Sequence, residues 1–169
     1  MRMVSTPTWT FFPVIFLTCC INLSISLSIA HAVKDLVLLD ASFASQIVDR
    51  HPSRVPQSAG LDSLADSRLW FWVHVGCTGE CAEMIAAKGH VKLFLDWYLE
   101  DDGVLRKQKS VSLSVKDTKW RSWGAKRVTP GAWVVVVRGE DSQWVCLKSQ
   151  CDFPIKVKEG KKKADGPSQ

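Results

Sequence analysis

Leu69, Phe71, Val73 and Val75 alternate with Trp70, Trp72 and His74. A period of two places alternate side chains on opposite faces of a pleated strand, so one lane enters a core and the other faces away. The pattern recurs twice. Val91, Leu93, Leu95 and Trp97 alternate with Lys92, Phe94, Asp96 and Tyr98, and Val111, Leu113 and Val115 alternate with Ser112 and Ser114. Ala132–Val137 is instead a continuous apolar run between Pro130-Gly131 and Gly139-Glu140-Asp141, which marks a strand buried on both faces. Leu36–Ala44 is a further strand candidate, and Asp101-Asp102-Gly103 and Gly139-Glu140-Asp141 have the composition of hairpin tips. Only Glu80–Lys88, stopped by Gly89, reads as a helix, and Arg50–Ser67 reads as a Pro/Ser-rich loop. No internal repeat is visible. Short strands at near-regular spacing predict an all-β fold, an antiparallel immunoglobulin-like β-sandwich with one short inserted helix.

The amino terminus sets the compartment. Phe11–Ala30 carries no charge, follows Arg2, and leads to Ala30-His31-Ala32, small residues at the spacing of a secretory cleavage site. Residues 1–32 therefore read as a signal peptide with cleavage after Ala32. An apolar run of about 20 residues also has the length of an uncleaved membrane anchor, although Pro13, Asn22 and the serines weaken that alternative. Acylation at Cys19 or Cys20 fits poorly, because Thr18 is not the small residue that precedes a lipidated cysteine. Export leaves one domain over 33–157 and a disordered basic tail over 158–169. The expected address is periplasmic or secreted, or inner-membrane anchored if the segment is retained.

An exported chain keeps Cys77, Cys81, Cys146 and Cys151, an even count that predicts two disulfides. Local pairing, Cys77 with Cys81 and Cys146 with Cys151, is the simplest, but the second bond needs a hairpin at Lys148-Ser149. Were Gln143–Ile155 one long strand, a crossed pairing would be required. A four-thiolate zinc site is the competing reading, and C-x3-C with C-x4-C is loose for it. No metal and no cofactor is expected.

The formal charge of +5 comes largely from the lysines of the tail, and without Arg2 and that tail basic and acidic side chains nearly balance. Nucleic acid is therefore not an expected partner. Membrane association is expected only through the N-terminal segment, and nothing in the sequence sets an oligomeric state.

Five stretches, DASFASQIVDRHP, SRLWFWVHV, LDWYLEDDGV, KWRSWGAKR and PGAWVVVV, occur in an order and spacing that resemble the bacterial family named domain of unknown function 2914. Its motifs fall on Asp49-Arg50-His51-Pro52, Leu69–Val75, Trp97, Trp120–Lys126 and Gly131–Val135, so the likeness spans about Leu39–Ile155. The chain departs from the family pattern in three ways. Leu95 replaces a histidine two residues before the central tryptophan, Gly124 replaces a serine, and Cys77–Gly89 resembles an insertion. The resemblance implies a fold and an extracytoplasmic address and carries no reaction.

Two groups of residues stand out as a ligand surface. Trp70, Trp72 and His74 share the lane opposite the apolar one, where two indoles require a cover: the inserted helix, a partner protein or a saccharide. Trp120, Arg121, Trp123 and Lys126 combine aromatic faces with positive charge, and a pyranose C–H face or an anionic polymer suits both. The competing structural reading has these tryptophans filling the sandwich, with Arg121 capping an edge or pairing with Asp49. Catalytic patterns such as H-E-x-x-H, G-x-S-x-G and the P-loop do not occur. Adjacent acids at Asp101-Asp102 and Glu140-Asp141 lie on turns, where carboxylates are ordinarily solvated. The expectation is a non-enzymatic envelope binding module for a glycan or partner protein. The alternatives are a cell-wall hydrolase using Asp49 and His51, or a membrane-anchored architectural subunit.

Overall fold

A computed structural model describes residues 35–160. The charge-free segment, the cleavage site, the two early cysteines and the tail beyond Gly160 lie outside the described residues. The elements in chain order are β1 (Leu36–Val48), β2 (His51–Arg54), β3 (Ser58–Gly60), β4 (Arg68–Cys77), α1 (Gly79–Lys88), β5 (Val91–Asp101), β6 (Val104–Val115), β7 (Lys119–Arg127), β8 (Gly131–Gly139) and β9 (Asp152–Lys158). They form two sheets of order β2-β1-β4-β7 and β3-β9-β8-β5-β6. This is the expected immunoglobulin-like sandwich. One pair departs from antiparallel order, because β3 runs parallel to β9. The segment read as a loop also supplies two short edge strands and the 3-10 turns Leu61–Ser63 and Ala65–Ser67. The last strand extends to Lys158, one residue past the expected domain end.

The period-two lanes meet in the middle. Leu69, Phe71, Val73 and Val75 of β4 face Leu93, Leu95 and Trp97 of β5, and all seven are fully buried. Phe71 is the hub. Its ring contacts Phe43 of β1, Trp97 of β5 and Phe153 of β9 at centroid separations of 5.0, 6.5 and 5.2 Å. One side chain thus ties together two strands of each sheet, largely through the edge-on geometry aromatic rings prefer. The apolar run of β8 is the central strand of its sheet, between β9 and β5. Its inward lane, Trp133, Val135 and Val137, is fully buried, but on the outward lane only Val134 is buried while Ala132 and Val136 stay half-buried, so the strand is not covered on both faces as its apolar run suggested.

Gly124 of β7 is buried where β7 closes on the opposite sheet. A Cβ there would lie 2.9 Å from Leu95 Cδ1 and 3.0 Å from Val111 Cγ1, so β7 can close against β5 and β6 only through a residue without a side chain. Leu95 is thereby a packing residue. Helix α1 ends at Gly89, which takes the left-handed conformation with its N–H bonded to Ile85 O. It packs Met84 and Ile85 on the core and contacts β5. It is not the cover of the two indoles on β4.

Both disulfides are local, Cys77–Cys81 and Cys146–Cys151. The second depends on a two-residue hairpin in which Lys148 and Ser149 both have positive φ (47° and 74°) and Leu147 and Gln150 exchange backbone hydrogen bonds. That reversal brings the two cysteine Cα atoms to 4.2 Å.

Two substitutions test this packing. Phe71→Ala, which empties the contact point of four strands, is expected to lower unfolding free energy by about 3–5 kcal/mol. Gly124→Ser is expected to cost about 1–3 kcal/mol by overpacking. Denaturant titration of each measures both.

Candidate binding face

The face of the four-stranded sheet that points away from the core is built by register. On β4 and β7, Trp72 pairs with Trp123, His74 with Arg121 and Trp70 with Ala125. These side chains alternate with core residues, so Trp70, Trp72, His74, Arg121 and Trp123 share one outer surface. Trp120 and Lys126 do not. They pair with Val75 and Leu69 and lie on the inward side of β7. Trp120 packs against the core, and the Lys126 ammonium sits 5.1 Å from the Trp133 ring. The aromatic-basic stretch of β7 is therefore divided between two faces, as its alternation demands.

The outer indoles are not equivalent. Trp72 is buried, at 4% exposure, and the β1–β2 turn holds it. Asp49 and Arg50 both have positive φ (49° and 63°), closing a two-residue hairpin that brings the Arg50 carbonyl to Trp72 Nε1, which donates a 3.0 Å hydrogen bond. Arg54, ion-paired to Asp40, lies 6.0 Å from the Trp72 ring. Trp70 and Trp123 remain half-exposed, with the Arg68 guanidinium 5.8 Å over Trp70. The backbone of the Asp-Arg-x-Pro motif forms a turn clamped onto an indole.

Beside this turn the face opens into a cleft of about 460 Å³ lined by Arg50, His74, Asp117, Lys119, Trp120 and Arg121. Three of these six are permanent cations. Among the described residues, none of the three makes an ion pair, whereas Arg54, Arg106, Arg138, Lys92 and Lys107 all do. The single acid, Asp117, directs one carboxylate oxygen to the Thr118 backbone N–H at 2.6 Å. Sequence reading isolated His74, Trp120 and Arg121. It missed Arg50, Lys119 and Asp117, because they reach the cleft from a turn and a strand end whose placement depends on folding.

Asp49 and His51 show no catalytic geometry. His51 Nδ1 donates to the Asp49 backbone carbonyl at 2.8 Å, both side chains are exposed, and neither carboxylate oxygen of Asp49 engages the ring. Among the described residues no group of histidine, cysteine and acidic side chains has metal-binding geometry.

A second charged cluster lies on the other sheet. Asp96 of β5 is 2% exposed and accepts from Ser110 Oγ (2.5 Å), Arg138 Nε (2.7 Å) and Lys107 Nζ (2.9 Å). Burial pushes its pKa up, but those three hydrogen bonds and the charge of Arg138 outweigh burial and hold it below the ordinary aspartate value. Arg138 also lies 4.4 Å from the Phe94 ring. The alternation placed Asp96 on the lane opposite the apolar one, and nothing local signalled two cations from β6 and β8 closing over it.

The chain is thus a two-sheet immunoglobulin-like domain with a basic cleft at one end of the outer face of its smaller sheet. The family described as Protein of unknown function (DUF2914) matches residues 90–146. The match establishes the family resemblance over β5 to β8, including the Trp97, Trp120–Lys126 and Gly131–Val135 motifs; the motifs of β1 and β4 lie outside it. Two solved structures are similar in outline. An immunoglobulin-like protein of Pseudomonas aeruginosa has 9% identity and a TM-score of 0.39, covering 75% of this chain and 99% of its own. The CARDB domain of a Pyrococcus furiosus protein, solved in complex with di-metal ions, has 13% identity and a TM-score of 0.36, covering 75% and 94%. At those scores the fold assignment rests on the two sheets themselves. Comparison with curated proteins gives no match.

Asp96 generates a pH prediction. Its folded pKa lies below the unfolded one, so the stabilisation is complete above the unfolded aspartate range and is lost as pH falls through the folded value. Stability is expected to drop below about pH 4. Asp96→Asn is expected to cost about 1–3 kcal/mol at neutral pH, and the gap from the native protein should close in acid. Thermal melts from pH 2 to 8 measure both effects.

Proposed function

We propose that this chain is an exported, non-catalytic recognition module of the bacterial envelope, periplasmic or secreted, which binds an envelope glycan or partner protein through the outer face of its four-stranded sheet. The observation that carries this reading is the set of three unpaired cations, Arg50, Lys119 and Arg121, lining one cleft beside the half-exposed Trp123. Unpaired cations on a sheet face are stabilised by solvent alone, so they stay available to a ligand, and an adjacent indole adds an apolar platform. Export is supported by two formed disulfides, which point to an oxidising, extracytoplasmic compartment. Among the described residues no helix is long and apolar enough to cross a membrane. A non-catalytic role is supported by Asp49 and His51, the acid–base candidates, being turn residues without mutual side-chain contact.

Trp72 is a poor probe of this face, because truncating a buried, hydrogen-bonded indole costs about 3–5 kcal/mol. Arg121 is exposed, and its reversal to glutamate is expected to leave the thermal melt unchanged. On purified cell-wall and outer-membrane polysaccharides and on envelope extract, Arg121→Glu should reduce retention of the protein about ten-fold or more, and Trp123→Ala should reduce it without reversing charge. Equal retention of native protein and Arg121→Glu would remove this face from the reading.

A further inference from the structure

The cleft has a more specific chemistry than the face around it, and naming it rests on that face being the ligand surface. Its lining is a focused arrangement rather than a basic stripe. Arg121 stands opposite His74 in the β4–β7 register, Lys119 is two residues along β7 on the same side, and Arg50 enters from the turn whose carbonyl caps Trp72. The domain as a whole is near charge balance, so no long-range field favours a polyanion, and three unpaired cations against one acid make the cleft a local excess of positive charge. Two guanidinium groups among three cations suit the planar, bidentate recognition of phosphate or carboxylate oxygens. Trp123 lies two residues beyond Arg121 on the same face. That spacing is roughly 7 Å along a strand, the distance from an anionic substituent of a hexose to the far side of its ring.

We infer that the Arg50–Lys119–Arg121 cleft binds the anionic substituent of a phosphorylated or uronic saccharide, with the sugar ring directed along β7 onto Trp123. Asp117 sits in the same cleft as a carboxylate that opposes the anion and tunes affinity down. An asparagine side chain would retain the oxygen that accepts from Thr118, so Asp117→Asn removes the charge and keeps the local bond.

Glucose 1-phosphate, glucuronate, inorganic phosphate and neutral glucose are titrated into the disulfide-bonded protein while backbone and indole NMR shifts are followed. The expected result is saturable shifts at His74, Lys119, Arg121 and the Trp123 indole with glucose 1-phosphate or glucuronate, and none with glucose. Arg50→Ala and Arg121→Ala should each weaken binding about ten-fold, whereas Asp117→Asn should tighten it about three-fold. The opposite sign for Asp117→Asn separates a charge effect from loss of fold. Inorganic phosphate binding as tightly as the sugar phosphate, with the Trp123 indole unmoved, would overturn the saccharide assignment. Glucose binding that Arg50→Ala and Arg121→Ala leave unchanged would overturn the anion site while keeping the face as a recognition surface. No saturable shift with any probe, or an Arg121-dependent response to anionic lipid vesicles alone, would also overturn it. Polysaccharide retention then decides the broader reading separately.

Discussion

Everything on the outer face of this domain is placed by contacts made inside it. Phe71 meets Phe43, Trp97 and Phe153, and those rings belong to β1, β5 and β9, so a single residue of β4 couples both sheets. Because strand side chains alternate, fixing Phe71 inward fixes Trp70, Trp72 and His74 outward with no further choice. The same holds for β7, where the close approach of Gly124 to Leu95 and Val111 sets which side of the strand faces the core. Arg121 and Trp123 are then outward as a consequence of a glycine. The shape of this interior outranks its hydrogen bonding: among the described residues buried Trp97 Nε1 has no hydrogen-bond partner, a cost of about 1–3 kcal/mol that the ring's packing outweighs.

The second constraint is turn geometry. Asp49-Arg50, Asp102-Gly103 and Lys148-Ser149 are all two-residue reversals with both φ values positive, the twist that matches paired strands. Each has a different consequence. Asp102-Gly103 simply joins β5 to β6, while Lys148-Ser149 brings two sulfurs together. Asp49-Arg50 folds over the sheet, seals Trp72 and carries Arg50 to the cleft. An aromatic residue at the centre of the face is thereby used for structure, and the open part of the face lies at its margin, where Trp123 is half-exposed and Arg50, Lys119 and Arg121 line the cleft.

The two outer faces show how context decides what a charge does. Asp96 on the larger sheet is closed over by Arg138, Lys107 and Ser110, and its charge is consumed in holding β5, β6 and β8 together. On the smaller sheet, Arg50, Lys119 and Arg121 line one cleft with a single acid, Asp117, and none of the three cations is ion-paired among the described residues. The first arrangement contributes to stability, and the second leaves its cations solvated. The exposed edge of β6 carries Arg106, Lys107 and Lys109, charges that discourage pairing with another sheet.

Local chemistry was enough to specify β1, β4, β5, β8 and the end of β6, the short helix ending at Gly89, the hairpin tips and the sandwich class, because period-two burial and turn residues act over a few positions; the short edge strands β2 and β3, read as loop, form only by pairing with β1 and β9. The sequence likewise placed Trp70, Trp72 and His74 on one lane, but it grouped Trp120 and Lys126 with Arg121 and Trp123, which the strand register separates onto two faces. It could not tell that Trp72 is sealed, because the Arg50 carbonyl that seals it lies 22 residues away in sequence. Nor could it join Arg50 and Lys119 to His74, or pair Asp96 with Arg138 across 42 residues. Even the disulfide pairing hinged on whether Lys148-Ser149 reverses the chain. Strand alternation is written in the order of residues, but which strands become neighbours is settled only when two sheets close around one core.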